Sequence, residues 1–268
     1  MFYNAKNGNI KIGDTDMDYI SFGSGKRNLT IIPGLGDALK TVKGTAISFA
    51  LMYRLFAKDY TVYVFSRKNK LEQNYSTKDM AADQAIAIKK LGISKTSVMG
   101  VSQGGMIAQY LAIDYPEMVE KLVLAVTLCQ QNDIVQNVIS NWINLANVDD
   151  FKNIFIDTAE KTYTERRLKT YRPLYPILSK LSKPKSLDRF IIQATACINH
   201  NVCEEIRKIQ CPTLVIGGDN DKIVGENSSN EIAEKISGSR LKVYKGLGHG
   251  TYEEARDFNR QVLEFLNA

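Results

Sequence analysis

The stretch Gly100-Val101-Ser102-Gln103-Gly104 decides the fold of this chain. It follows the apolar run Ser97-Val98-Met99 and precedes a segment with helical patterning from Gln103 to Tyr115. A Gly-x-Ser-x-Gly sequence between a strand and a helix predicts a sharp turn, the nucleophile elbow, which raises the serine hydroxyl above the edge of a sheet. Glycine is needed on both sides because a Cβ there would collide with the neighbouring strand or helix. Since serine and glycine are common, this pattern alone leaves open a glycine-rich turn with an idle serine.

A serine hydroxyl needs an adjacent base before it can act as a nucleophile, and the chain has two histidines. His249 lies in a glycine-flanked loop between a strand-like run, 240–244, and a helix predicted from Thr251 to Leu266. Its ring is free to point into a cleft. His200 closes a helical segment, and we expect it to be a surface or helix-end residue.

A histidine base needs a carboxylate that orients its ring. The apolar run 213–216 predicts a buried parallel strand, and Asp219 and Asp221 follow it closely. Catalytic and ligand-binding groups gather at this end of the strands in open α/β sheets. Because aspartate is also favoured in turns, we expect one of the two to be structural and the other functional.

Residues 209–224 resemble the α/β-hydrolase signature Ile-x-x-Pro-Thr-Leu-Val-Ile-x-Gly-x-x-Asp-x-Ile-Val. The chain order Ser102, Asp221, His249 is also the order of that superfamily. The chain is therefore identified as a member of the branch of serine hydrolases that carries a helical cap. The resemblance implies that Ser102 is the nucleophile, His249 the base and Asp221 the acid, and it leaves Asp219 as a loop residue.

Residues 31–36 resemble the superfamily's strand followed by His-Gly-x-Gly, with Pro33 in place of the histidine. This similarity implies an oxyanion hole formed by the backbone N–H groups of Leu35 and Gln103. Residues 65–70 depart from the usual Asp-x-Arg-Gly-x-Gly-x-Ser, which puts the loop geometry on that side of the pocket in question.

The resemblance implies an α/β-hydrolase fold, a mostly parallel, doubly wound sheet with an inserted helical cap, and the apolar and helical patterning agrees with it. The β–α alternation stops at Cys129, gives way to helical pattern, and resumes at Cys211. We therefore expect a core domain made of residues 1–127 and 206–268 and a cap insertion over residues 128–205. The predicted strands are 10–12, 17–22, 29–33, 61–65, 97–99, 122–126, 213–216 and 240–244, and helices are predicted over 45–57, 77–91, 103–115 and 251–266.

The cap is expected to form the roof of the pocket, with Trp142 and Tyr171 as candidate substrate contacts. From Lys161 to Arg189 it carries nine Lys or Arg and only two acids. This basic half is either a solvated helix face or a contact for an anionic substrate group. The arginines that would make such a contact are Arg166, Arg167, Arg172 and Arg189.

Composition bounds the class of protein. A chain of 268 residues with 44% apolar content can bury a full core as one domain plus an insertion. The formal charge of +6 is dispersed and includes no basic run with interleaved aromatics, so we expect no nucleic-acid partner. The segment Met1–Lys6 lacks the apolar stretch of a signal peptide and no apolar run is long enough for a membrane span, so we expect a cytoplasmic protein without a membrane partner.

The four cysteines have no metal-ligand spacing, and we expect them to be reduced and to bind no metal. They are Cys129, Cys197, Cys203 and Cys211. The resemblance implies no metal or organic cofactor, a small-molecule ester-type substrate as the partner, and leaves a homodimer open.

The reaction expected first is hydrolysis of a carboxylic ester-type bond of a small or medium substrate through an acyl-enzyme. The same fold also supports an enol-lactonase, a C–C bond hydrolase, a thioesterase or a cofactor-free perhydrolase, and the elbow does not distinguish them. A ligand-binding protein with slow turnover is the alternative from another class. A purely structural interaction module would leave the serine, histidine and aspartate unexplained.

Overall fold

Eight strands form one sheet in the computed structural model, which describes residues 3–268. The strands lie in the order β1-β2-β4-β3-β5-β6-β7-β8, and every pair from β4 onward is parallel. The two antiparallel pairs of the sheet are β1 with β2 and β2 with β4. Their bounds are β1 Lys6–Ile12, β2 Thr15–Gly23, β3 Arg27–Ile32, β4 Tyr60–Lys68, β5 Thr96–Val101, β6 Val119–Ala125, β7 Thr213–Gly218 and β8 Arg240–Tyr244.

Helices cover both faces of the sheet, so the central strands are buried on both sides. Every residue of β5 and of β7 is buried, which explains why these strands are apolar runs without alternation. The helices are α1 Ala46–Met52, α2 Thr77–Lys90, α3 Gln103–Asp114, α4 Asp133–Asn147, α5 Phe151–Thr162, α6 Glu165–Tyr171, α7 Tyr175–Ser182, α8 Asp188–Ile198, α9 Ser228–Lys235, α10 Thr251–Glu254 and α11 Phe258–Asn267.

Two apolar clusters fill the two interfaces between the sheet and its helices. Side chains of α2, α3 and α9 pack on one face, and those of α1 and α11 pack on the other. A third cluster lies beneath α4, α5 and α8, where Trp142, Phe151 and Phe190 are buried together. This architecture confirms the predicted doubly wound, mostly parallel α/β sheet.

The predicted cap segment forms five helices, α4 to α8, between β6 and β7. An isolated antiparallel bridge between Gln130 and Asn201 pairs the segment that leads into these helices with the segment that leads out of them. The division of the chain into a core domain, 1–127 with 206–268, and a cap domain, 128–205, stays a prediction.

Two predicted helices differ from the structure. The helix predicted over 45–57 ends at Met52, because the next residues turn inward and Tyr53 packs against Phe49 and Phe56. The single helix predicted from Thr251 to Leu266 is divided into α10 and α11 by extended backbone at Ala255. The break lets Tyr252 line the cavity described below while the apolar face of α11 packs against the sheet.

No helix in the described residues is long and apolar enough to cross a membrane. Met1 and Phe2, which belong to the N-terminal segment considered for a signal peptide, lie outside those residues.

Candidate active site

Ser102 is the single residue between β5 and α3, and its backbone dihedral angles are φ +55° and ψ −120°. This strained conformation is held from both sides, because its N–H donates to the carbonyl of Ala125 at 2.9 Å and its carbonyl accepts from Thr127 Oγ1 at 2.8 Å. The hydroxyl therefore projects from the turn toward the cavity at the end of the sheet. The local geometry is that of the predicted elbow.

The glycines around Ser102 are required by close backbone contacts. A Cβ on Gly104 would lie 1.9 Å from the carbonyl oxygen of Ile32, and a Cβ on Gly100 would lie 2.3 Å from that of Gly104. Any side chain at either position would push the helix away from the strands and displace the serine.

His249 and Asp221 complete a chain of hydrogen bonds with Ser102. The His249 Nε2 atom is 2.9 Å from Ser102 Oγ, and its Nδ1 atom is 2.8 Å from Asp221 Oδ2. The other Asp221 oxygen accepts the N–H groups of Ile223 and Val224 at 2.9 and 3.0 Å, which fixes the carboxylate. Both His249 and Asp221 are buried. This arrangement can take a proton from the serine hydroxyl and stabilise the resulting imidazolium.

The second histidine and the second aspartate lie elsewhere. Asp219 accepts the N–H of Gly246 at 2.7 Å and so ties together two loops. His200 follows α8 as predicted, but it is buried rather than at the surface. Its Nδ1 atom is 2.9 Å from Thr77 Oγ1 and its ring packs edge-on against Tyr110, which together cover it.

The backbone N–H groups of Leu35 and Gln103 donate to no acceptor within residues 3–268. Gln103 is the first residue of α3, directly after Ser102. Leu35 follows Gly34, where an added Cβ would lie 3.7 Å from Ser102 Oγ. Two free donors beside the serine can hold a developing oxyanion.

A buried polar network that the sequence analysis missed supports these two backbone segments. Arg67 is fully buried, and its Nη2 atom donates to Gln103 Oε1 at 2.8 Å and to the carbonyl of Pro33 at 2.6 Å. The amide of Gln103 in turn donates to the carbonyl of Gln193 at 2.8 Å. Burial lowers the pKa of the Arg67 guanidinium, and the nearby Asp37 carboxylate opposes this. A charged residue at the end of a buried strand was the available sequence signal.

Asp37 joins the same network to the cap helices. Its Oδ2 atom accepts the N–H of Arg67 at 3.0 Å and a hydrogen bond from Arg189 Nη2 at 3.1 Å. Arg189 lies in α8 and also donates to the carbonyl oxygens of Arg67 and Lys68. The departure from the family pattern over residues 65–70 thus coincides with an anchor between β4 and α8.

A cavity of about 510 Å³ opens above Ser102 and His249. The helices α4, α5 and α8 line it on the side opposite the sheet. Apart from His249, its charged lining residues within 3–268 are Asp37, Lys40 and Glu253. The rest of the lining is mostly apolar: Val135, Ile139, Trp142, Ile154, Phe155, Phe190 and Ile223 are among its members.

Trp142 lines this cavity, and its indole N–H donates to Asp157 Oδ2 at 2.7 Å. Tyr171 does not line it, so that expectation is corrected. Its ring packs 5.2 Å from the ring of Tyr163 and is covered by the Arg167 guanidinium, which holds it among α5 and α6.

None of the four candidate arginines lines the cavity in the described chain. Arg172 is held by Glu160 and Glu165, and Arg189 by Asp37, while Arg167 lies 3.5 Å from Glu253. Arg166 borders a separate depression of about 320 Å³. Three of these arginines are therefore bound by acidic side chains, and the fourth, Arg166, borders a different depression.

One group of potential metal ligands occurs among the described residues, formed by Cys129, Cys203 and Glu231. It lies outside the residues that line the cavity. All four cysteines are free thiols.

The chain is similar in sequence to known hydrolases. A 2-hydroxy-6-oxononadienedioate/2-hydroxy-6-oxononatrienedioate hydrolase of Pseudomonas putida is 26% identical over 281 residues, covering 96% of this chain and 95% of that protein. A hydrolase of the same description from Klebsiella pneumoniae is 28% identical over 195 residues, which span 67% of this chain and 65% of that protein.

Among solved structures, the enol-lactonase of Burkholderia xenovorans LB400 superposes with a TM-score of 0.84 at 17% identity, covering 97% of this chain and all of that one. The family model described as the alpha/beta hydrolase fold matches residues 29–255, which include the elbow, the segment of the proposed acid and the histidine loop. This chain belongs to the α/β-hydrolase fold family.

Proposed function

We propose that the protein is a serine hydrolase in which Ser102 attacks a carbonyl carbon of a substrate held in the cavity under the cap helices. The observation that carries this proposal is the continuous relay from Ser102 through His249 to Asp221, with contacts of 2.9 and 2.8 Å. A ligand-binding protein would not need a base aligned on a strained serine, so this geometry favours turnover over binding alone.

Each group has a defined task in the proposed reaction. His249 Nε2 takes the proton of the Ser102 hydroxyl as the new bond forms, and the carboxylate of Asp221 keeps the other ring nitrogen protonated. The N–H groups of Leu35 and Gln103 hold the oxyanion. Water, activated by the same histidine, then releases the acyl group from Ser102.

The bond that is cleaved is better indicated by the relatives than by the elbow. Ester hydrolysis is the first expectation from the sequence. Relatives described as 2-hydroxy-6-oxo-dienedioate hydrolases favour the alternative in which a C–C bond is cleaved. The enol-lactonase of the same fold supports a second alternative, the opening of an enol lactone. Hydrolysis at the oxo carbon of a hydroxy-oxo-dienoate breaks the C5–C6 bond after the dienol has ketonised with a proton on C5, because only then can the departing electron pair enter a dienolate. Opening of an enol lactone breaks a C–O bond. In both reactions the leaving group is an enol or enolate. We propose a substrate of this type, whose departing group is stabilised by its own conjugation.

The charged residues of the cavity limit the number of carboxylates that the substrate can carry. A dienedioate carries two carboxylates, and a buried carboxylate without a cationic partner is strongly disfavoured. Lys40 is the single Lys or Arg among the cavity residues of the described chain, and it is exposed at the surface. We therefore propose a substrate with one carboxylate near Lys40 and an apolar group beneath α4 and α8.

A substrate panel tests this function. It contains a 2-hydroxy-6-oxohexa-2,4-dienoate with an apolar substituent at C6, the corresponding dienedioate, a monocarboxylate enol lactone and a neutral p-nitrophenyl ester. We expect the apolar monocarboxylate dienoate or lactone to exceed the dienedioate and the ester by at least about tenfold in kcat/KM. Ser102→Ala should abolish turnover of every member.

Lys40→Met provides the matched test of the carboxylate position. It should raise KM for the monocarboxylates and leave KM for the neutral ester unchanged. A higher kcat/KM for the p-nitrophenyl ester than for any substrate with an enol leaving group would refute the proposed substrate class and indicate a simple esterase. Full activity of Ser102→Ala would refute the serine mechanism.

A further inference from the structure

Cys129 and Cys203 meet at the base of the cap helices, outside the proposed active site. Cys129 lies between β6 and α4, and Cys203 lies between α8 and β7. Their Sγ atoms are 2.8 Å apart, and both side chains are buried. The backbone holds them there, because the N–H of Val202 donates to the carbonyl of Cys129 at 2.8 Å and Gln130 pairs with Asn201.

The spacing of the two sulfur atoms favours a covalent link over a shared metal ion. Two thiolates bound to one tetrahedral zinc at about 2.3 Å would lie ~3.8 Å apart, which is wider than the observed contact. A disulfide bond has sulfur atoms about 2.05 Å apart, so only a small approach of Cys129 and Cys203 is needed. The third potential ligand, Glu231, already accepts a hydrogen bond from Gln130 Nε2 at 2.7 Å.

We propose that Cys129 and Cys203 are a dithiol that peroxide oxidises to a disulfide, which joins the two chain segments that connect the cap helices to the sheet. A small oxidant suits a pair this deeply buried. The alternation between thiol and disulfide matches the use of cysteine pairs in reducing compartments, where such links are transient.

The surroundings of the two sulfur atoms set the order of the reaction. Cys203 keeps an exposed fraction of 4%, whereas Cys129 has none. Cys203 is therefore the thiol that peroxide reaches first, and Cys129 is the one that resolves the product.

Two balanced steps give the disulfide. The Cys203 thiolate attacks one oxygen of hydrogen peroxide, breaks the O–O bond and becomes a sulfenic acid as hydroxide leaves. The Cys129 sulfur then attacks Cys203 Sγ, the S–O bond breaks, and the departing hydroxide takes the Cys129 proton to form water. Two thiols are oxidised by two electrons, and one peroxide is reduced.

The link would close a loop that contains all five cap helices. A cross-link of this kind removes conformational freedom from the unfolded chain and stabilises the folded one. We expect the melting temperature of the oxidised protein to rise by roughly 5 to 10 °C, reversibly with dithiothreitol.

The experiment uses the full chain, reduced, freed of reductant and treated with hydrogen peroxide. Remaining thiols are alkylated after denaturation, and peptides are identified by mass spectrometry. We expect a peptide pair joined through Cys129 and Cys203, with Cys197 and Cys211 still alkylated. Cys203→Ala should lose both the link and the rise in melting temperature, whereas Cys211→Ala, which removes the most exposed thiol, should keep both.

Three results would overturn the proposal. Peroxide treatment that leaves Cys129 and Cys203 alkylatable would refute the disulfide. One zinc ion per chain, lost in Cys203→Ala, would assign the pair to a metal site instead. A link that forms without raising the melting temperature would refute its stabilising role.

Discussion

The buried guanidinium of Arg67 donates a hydrogen bond of 2.8 Å to the side-chain oxygen of Gln103, the residue directly after the proposed nucleophile. The same nitrogen donates to the carbonyl of Pro33 at 2.6 Å, two residues before Leu35. One side chain therefore ties together the two backbone segments whose free N–H groups we assign to the oxyanion hole. Because this nitrogen reaches no group of the relay itself, Arg67 is a positioning residue.

Replacing Arg67 tests this positioning role. Arg67→Met keeps much of the buried volume and removes both hydrogen bonds, so the two N–H donors should lose their fixed spacing. We expect kcat to fall by about 10- to 100-fold with little change in KM, because the interaction acts on the transition state. Asp37 keeps Arg189 as a partner at 3.1 Å, which should preserve the fold.

Arg172→Met is the matched control for that variant. Arg172 is also bound to carboxylates, those of Glu160 and Glu165, but on the exposed part of the cap. Its replacement should leave kcat unchanged. A rise in KM without a fall in kcat for Arg67→Met would contradict the positioning role.

The two aspartates after β7 should differ sharply when each is changed to asparagine. Asp221→Asn removes the carboxylate that bonds His249 Nδ1 at 2.8 Å, so kcat should fall by about three to four orders of magnitude. Asp219→Asn keeps an oxygen able to accept the N–H of Gly246, so its effect should be small. The rate of labelling by a fluorophosphonate probe, measured beside kcat, reports the same loss at Ser102. Equal losses in both variants would contradict the assignment of Asp221.

His200 should make stability depend on pH. Burial lowers the pKa of its imidazole from 6.5 to about 3. Below pH 6.5 the unfolded chain therefore binds a proton that the folded chain does not, and stability falls as the pH drops toward 3. His200→Gln keeps a polar partner for Thr77 but does not titrate. The difference in unfolding free energy between wild type and variant should shrink by about 2.5 kcal/mol between pH 7 and pH 4.5.

Urea unfolding at a series of pH values measures this difference. All other titratable groups are common to both proteins, so their contributions cancel in the comparison. A difference that stays constant from pH 7 to pH 4.5 would show that His200 is protonated equally in the folded and unfolded states.

Local sequence patterns were sufficient for the sheet and indicated Ser102 and His249 as candidates, whereas the choice of Asp221 over Asp219 came from the resemblance to α/β-hydrolases. Apolar runs without alternation predict buried parallel strands. Ser102 and Asp221 follow the C-terminal ends of two such strands, β5 and β7. His249 could be distinguished from His200 because its loop is flanked by glycines, although the burial of His200 depends on Thr77 and Tyr110, which are distant in sequence.

The parts that sequence could not predict depend on tertiary packing. Asp37 and Arg189 are separated by 152 positions, so no local pattern indicates that their side chains meet. Trp142 and Tyr171 are both aromatic residues of cap helices, and only the packing of those helices decides that one faces the cavity and the other faces Tyr163.

This contrast between the two cap aromatics gives the last prediction. Trp142→Leu removes an indole from the cavity wall and enlarges the space above Ser102. The ratio of kcat/KM for a substrate with a bulky acyl group to that for one with a small group should rise by about tenfold, because each methylene in an apolar pocket changes discrimination by a comparable factor. The labelling rate of Ser102 with a small fluorophosphonate should stay nearly constant, since the relay is untouched. Tyr171→Leu, the matched change outside the cavity, should alter neither quantity. If Trp142→Leu lowers labelling as strongly as it changes selectivity, the indole supports the serine and its neighbours rather than setting the size of the acyl group that fits.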